Sequence, residues 1–142
     1  MLIENVNPVE RDGEEVKQKV ILVDHNEIGQ AAPGIENADV VEIIDHHRIA
    51  DVSTANPILF LNLPIGSTAT IVTLQFRQTG IELPDSIARV LLSAILTDTV
   101  IMKSPTCTQV DVDQVNFLAD KLGIDAVEYG MDIFRTRGGE DK

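Results

Sequence analysis

The chain has 142 residues, 44% hydrophobic and 24% charged, the balance of a folded globular domain and not of a disordered or fibrous chain. Its 23 acidic residues outnumber 11 basic ones for a net charge of −12, a field that repels polyanions and argues against binding nucleic acid through a basic face. The one cysteine, Cys107, has no disulfide partner in the chain, and neither a secretory apolar region nor a run of about 18 apolar residues is present, so a cytoplasmic protein with no membrane span is expected.

Residues 1–19 are polar, carry turn signals at Asn7-Pro8 and Asp12-Gly13, show no sustained apolar face and read as a lead-in segment. Lys19-Val20-Ile21-Leu22-Val23-Asp24 is a short apolar run rich in branched side chains, the pattern of a strand buried on both faces of a parallel sheet. It ends in Asp24-His25-Asn26-Glu27. After a loop at Pro33-Gly34, Asp39 to Ile44 repeats the design and runs into Asp45-His46-His47, and Pro57 to Leu63 reads as a third strand. Gly66-Ser67-Thr68 offers hydroxyl caps for a helix from Ala69 to Phe76, stopped by Gly80. A helix opening at Pro84-Asp85 is apolar almost all round through Leu96, so burial is expected, and it delivers Asp98 at its end. Ser104 to Thr108 forms a turn, Val110 to Leu122 an amphipathic helix ended by Gly123, and Asp125 to Phe134 a short helix before a Gly-Gly tail. The expected class is α/β, mainly parallel sheet flanked by helices, with one domain over residues 20–136 and a tail over residues 137–142.

Two strands that each deliver ionisable groups at their C-terminal ends suit an open α/β sheet, where ligands bind outside the carboxyl ends of the strands. Imidazole and carboxylate together are a ligand set for Mn²⁺ and related ions, which phosphate substrates need to neutralise charge on their oxygens. Asp45-His46-His47 alone reads more simply as a solvated polar turn after a strand. Asp24 and Asp98 strengthen the metal reading, because a carboxylate beside so apolar a helix needs a cation or donors to offset its desolvation.

Five motifs, Val23-Asp24-His25-Asn26-Glu27, Ile44-Asp45-His46-His47-Arg48, Gly66 to Thr70, Leu92 to Thr99 and Lys103 to Thr108, resemble in order and spacing the family II, manganese-dependent inorganic pyrophosphatases of the DHH phosphoesterase family. The resemblance implies hydrolysis of pyrophosphate to two phosphates at a two-metal site. Two Mn²⁺ or Co²⁺ ions would share a water, and Mg²⁺ would accompany the substrate. It implies Asp24, His46 and Asp98 as metal ligands and His47 as the catalytic histidine facing substrate phosphate, with support of a ligand as the alternative for His47. His25 and Asn26 would orient the loop, and Asp45 would accept the other N–H of an imidazole and fix its tautomer. Arg48 and Lys103 read as surface cations that could also screen phosphate. The resemblance further implies a homodimer paired through sheet edges.

Two features of the family do not match. The first-strand His-x-Asn-Pro-Asp-x-Asp segment, which brings three more ligands, is absent, and so is the second domain with its Ser-Arg-Lys clamp. The chain alone is therefore expected to be inactive or nearly so, with the missing segments of the parent enzyme as its partners, either as an excised piece or as the portion following a CBS-type regulatory insertion. Two other functions stay open: a DHH phosphoesterase acting on nucleotides or oligonucleotides, and a non-enzymatic assembly or regulatory module with a vestigial metal site.

Overall fold

The computed structural model describes residues 5–140, so residues 1–4 of the expected lead-in segment and 141–142 of the expected tail lie outside the described residues. The chain divides between Leu63 and Pro64 into two compact units, a β-rich one followed by a helical one.

In the first unit, β1 (Val9–Arg11) and β2 (Glu14–Val16) pair antiparallel, with Arg11 opposite Glu14. The residues between them, Asp12 and Gly13, both have positive φ, 50° and 79°. Positive φ at both central positions is what a two-residue hairpin turn following the twist of its strands requires. The lead-in segment thus contains a hairpin, and the Asp-Gly pair was its signal.

Then come β3 (Gln18–Val23), β4 (Ala38–Asp45) and β5 (Leu59–Asn62), which form a parallel sheet in the order β3-β4-β5. Single turns of 3-10 helix at Ile28–Gln30 and Ile35–Asn37 punctuate the β3–β4 connection. All three strands lie where the sequence pattern put them, but burial of β3 on both faces is not observed. Leu22 is buried while Ile21 and Val23 are about half exposed, at 52% and 46%. The cause is position: β3 is an edge strand of this sheet, whereas central β4 buries Ile43, Ile44 and Asp45.

The second unit holds α1 (Thr68–Thr79), α2 (Asp85–Asp98), α3 (Gln109–Leu122) and α4 (Ala126–Glu140). Gly80 and Gly123 end α1 and α3 in the left-handed conformation that a residue lacking Cβ adopts without strain. Helix α2 packs against the other three through Ala88, Leu91, Leu92, Ile95 and Leu96, joined by Val115 and Leu118 of α3. Its expected burial all round is not observed, since Ile87 and Val90 lie on the side that these packing contacts leave open. The last helix runs on to Glu140, beyond the expected stop at Phe134. Glycine lowers helix propensity by about 1 kcal/mol relative to alanine without forbidding helical backbone. Among the described residues no helix is long and apolar enough to cross a membrane.

Candidate metal centre

The parallel register brings the ends of β3 and β4 side by side. Val23 is the ladder partner of Ile44, and the ladder continues with Asp24 N–H donating to the Ile44 carbonyl at 2.9 Å. Asp24 then takes φ +67°, a left-handed conformation uncommon for a residue bearing Cβ and enriched where function needs a side chain re-aimed. One strand over, the chain leaves β4 as Asp45-His46-His47.

Asp24, His46 and His47 converge. Each can offer a ligand atom within 4.8 Å of the others. His46 Nε2 lies 3.1 Å from Asp24 Oδ1, His47 Nδ1 3.8 Å from the same oxygen, and the two imidazoles tilt against each other with centroids 4.2 Å apart. Asp24 and His47 are open to solvent while His46 is mostly covered. Carboxylate oxygen and imidazole nitrogen at this spacing form a donor set suited to Mn²⁺, Co²⁺ and their neighbours. A cation taking both His46 Nε2 and Asp24 would displace the proton they share.

Behind these groups sits Asp45, fully buried. Its Oδ1 accepts from the His46 N–H at 2.7 Å, the His47 N–H at 3.2 Å and His47 Nδ1 at 2.7 Å, and its Oδ2 accepts from Asn26 Nδ2. Burial alone would raise the carboxyl pKa, but the donors from Asn26, His47 and His46 together outweigh it and hold the group below the ordinary carboxylate value. An ionised Asp45 can only accept, so the proton of His47 resides on Nδ1 and Nε2 is the ring atom left for other partners.

Asn26 is buried as well. Besides donating to Asp45 it donates to the Arg48 carbonyl at 3.0 Å and accepts from Ala50 N–H, while its own carbonyl accepts from Val52 N–H at 3.2 Å. His25 turns back on its own strand: Nδ1 donates to the Val23 carbonyl at 2.9 Å, and Nε2 is buried without a hydrogen-bond partner. Asn62, at the end of β5, donates to the His47 carbonyl at 2.9 Å.

Asp98 belongs to the second unit, where it ends α2 and is exposed. The desolvation expected from its apolar helix is therefore not what constrains it; instead it accepts a proton from Ser67 Oγ at 2.6 Å. Ser67 is the buried N-cap of α1, as the hydroxyl pattern indicated. Directly after α2, Val100, Ile101 and Met102 all have positive φ, between 50° and 63°, a left-handed turn with no sequence signal.

One buried acid escaped the sequence reading. Asp111, fully buried, accepts from Gly66 N–H at 2.8 Å, Thr70 Oγ at 2.6 Å, and the backbone and hydroxyl of Thr108 at 2.8 and 2.9 Å. Thr108 and Asp111 form the capping box of α3, so the Thr-x-x-acid spacing was the available signal.

A model of the DHH family, N-terminal domain, matches residues 2–95. Over 108 residues the sequence is 55% identical to a protein named as a probable manganese-dependent inorganic pyrophosphatase of Archaeoglobus fulgidus, a match covering 76% of this chain and 34% of that protein. It is 50% identical over 120 residues to a cobalt-dependent inorganic pyrophosphatase of Clostridium perfringens, covering 84% of this chain and 22% of the relative. A crystal structure of a Methanococcus jannaschii protein assigned to the family II inorganic pyrophosphatases superposes with TM-score 0.82 at 36% identity, covering 94% of this chain and 44% of the other. The chain thus spans less than half the length of each.

Proposed function

Since the chain belongs to the DHH family, we propose that it carries part of a two-metal site that hydrolyses inorganic pyrophosphate, with Asp24 and His46 as ligands to Mn²⁺ or Co²⁺. The observation that carries this reading is the convergence of Asp24, His46 and His47 at the joint end of β3 and β4. The names of the relatives support both the substrate and the metals. Bound there, such ions would lower the pKa of a water and neutralise charge on phosphate oxygens, while Mg²⁺ accompanies the substrate.

The remaining groups are protein chemistry. Asp45 accepts a hydrogen bond from the Nδ1–H of His47, so Nε2 is the atom that meets a phosphate oxygen, donating to it when the ring is cationic. His47 is accordingly the substrate-facing histidine and Asp45 its orienting partner. The net charge of −12 supports a small metal-accompanied substrate over an oligonucleotide, whose backbone would meet repulsion along its length. A cytoplasmic setting is supported by the single cysteine.

Isothermal titration with Mn²⁺ tests the reading. Binding by the wild type that is lost in His46→Ala is the expected result, and a wild type that binds no Mn²⁺ would overturn it. A chimera supplying the remaining segments of the Archaeoglobus relative should release phosphate from pyrophosphate and none from a short oligonucleotide; the reverse preference would favour the nucleotide-directed alternative.

A further inference from the structure

We infer that Asn26 is a positioning residue: through its one amide it locks the Asp45 carboxylate, and with it His47, to the loop of residues 48–52. The inference rests on the proposed reading of His46 and His47 but concerns a residue that touches neither metal nor substrate. Its amide orientation is fixed by chemistry. Nδ2 faces two acceptors, Asp45 Oδ2 and the Arg48 carbonyl, while Oδ1 faces a donor, the Ala50 N–H, so the reverse assignment would leave every contact repulsive.

The bond to Asp45 has a directional consequence. Oδ1 of that carboxylate receives three N–H groups from His46 and His47, which is possible in a single carboxylate rotamer. Asn26 holds the other oxygen and so fixes that rotamer. Without its N–H donors the carboxylate can turn, the Nδ1 proton of His47 loses its acceptor, and the ring can settle in either tautomer. The second half of the amide is independent: Oδ1 and the Asn26 carbonyl hold Ala50 and Val52, so the loop is secured to the same residue that aims the histidine. Groups that orient a ligating or reacting imidazole typically change metal affinity about 10–100-fold when removed.

The near-isosteric Asn26→Asp separates the two halves, because it keeps an oxygen for Ala50 and deletes both N–H donors. In the metal-free full chain at pH 8, ring ¹⁵N shifts of His47 should move from a single Nδ1–H tautomer to a mixture, with amide exchange at His46 and His47 faster by about tenfold or more. In the same variant the Mn²⁺ dissociation constant should rise about 10–100-fold. Asp51→Ala is the structural control: it removes the 2.8 Å cap on Ile28 N–H from the same loop without touching Asp45, and should leave the His47 ring signals unchanged. Unchanged His47 shifts in folded Asn26→Asp, or equal changes in Asp51→Ala, would overturn the inference. If Asn26→Asp does not fold, slow exchange of the wild-type Asn26 side-chain amide protons is the required result and free exchange refutes it. A wild type that fails to bind Mn²⁺ would remove the proposed function, yet the metal-free ring and amide signals would still decide the role of Asn26.

Discussion

Ser67 donates its hydroxyl proton to Asp98 across 2.6 Å, tying the first residue before α1 to the last residue of α2. The same oxygen accepts from the Ala69 N–H at 3.3 Å, so one buried hydroxyl both caps a helix and aims a carboxylate. Ser67→Ala removes both. Loss of the cap should lower unfolding free energy by about 1 kcal/mol in urea denaturation. An unchanged denaturation midpoint in the variant would show that this hydroxyl carries no helix-capping role.

Asp111 gathers donors from three residues in two stretches of chain, Gly66 and Thr70 at the start of α1 and Thr108 before α3. Asp111→Ala leaves these buried groups without their acceptor, and a loss of about 3 kcal/mol or more is expected. The measurement is the shift in denaturation midpoint, and a loss under about 1 kcal/mol would contradict it. Gly66→Ala probes the same spot sterically. An added Cβ would sit 2.8 Å from Thr99 Cγ2 and 3.0 Å from Asp111 Oδ2, so a cost of about 1–3 kcal/mol is expected.

The left-handed turn after Asp98 places two β-branched residues, Val100 and Ile101, at φ 50° and 52°. Such a conformation costs about 1–2 kcal/mol for an ordinary residue and less for asparagine. Val100 is half exposed, so little packing is lost on replacement. Val100→Asn should therefore raise the denaturation midpoint, with a gain of about 1 kcal/mol, and a lower midpoint would show that the turn is not strained.

Burial, and to a lesser degree the charge of Asp111, pushes the Cys107 thiol above its ordinary pKa. Its thiolate is therefore scarce at neutral pH. Modification by a thiol reagent should be slower than that of a free cysteine at pH 8 and should accelerate only at more alkaline pH. Rapid labelling at pH 7 would show the site to be more open than described.

Much of the first unit could be read from residue order because branched apolar runs followed by acid and histidine have few other uses, and β3, β4 and β5 lie where Val20 to Val23, Asp39 to Ile44 and Pro57 to Leu63 placed them. The pairing of Asp24 with His46 and His47 was legible for the same reason. What failed depends on neighbours that a local pattern does not contain. Exposure of Ile21 and Val23 follows from strand order, and exposure of Ile87 and Val90 from which side of α2 its partner helices occupy. The positive φ of Asp24 and of the Val100 turn runs against residue preference, so no propensity argument reaches it. Asp111 and the Asp12-Gly13 hairpin were different in kind: both had local signals, a Thr-x-x-Asp spacing and a turn pair, but the short polar strands beside that turn carry no apolar alternation.

The three strands run parallel, with Val23 opposite Ile44 and Asp45 opposite Asn62. Alternation of side chains along β4 puts Ile43 and Asp45 on one face and Ile44 on the other. Adding or deleting a single codon within Ala38–Asp45 would hand the place of Asp45 to a residue of opposite direction, and the histidines would lose their anchor although every element remained. Length variation tolerated by descendants of this gene should consequently fall between Val52 and Leu59, beyond the backbone groups that Asn26 holds, and spare β4.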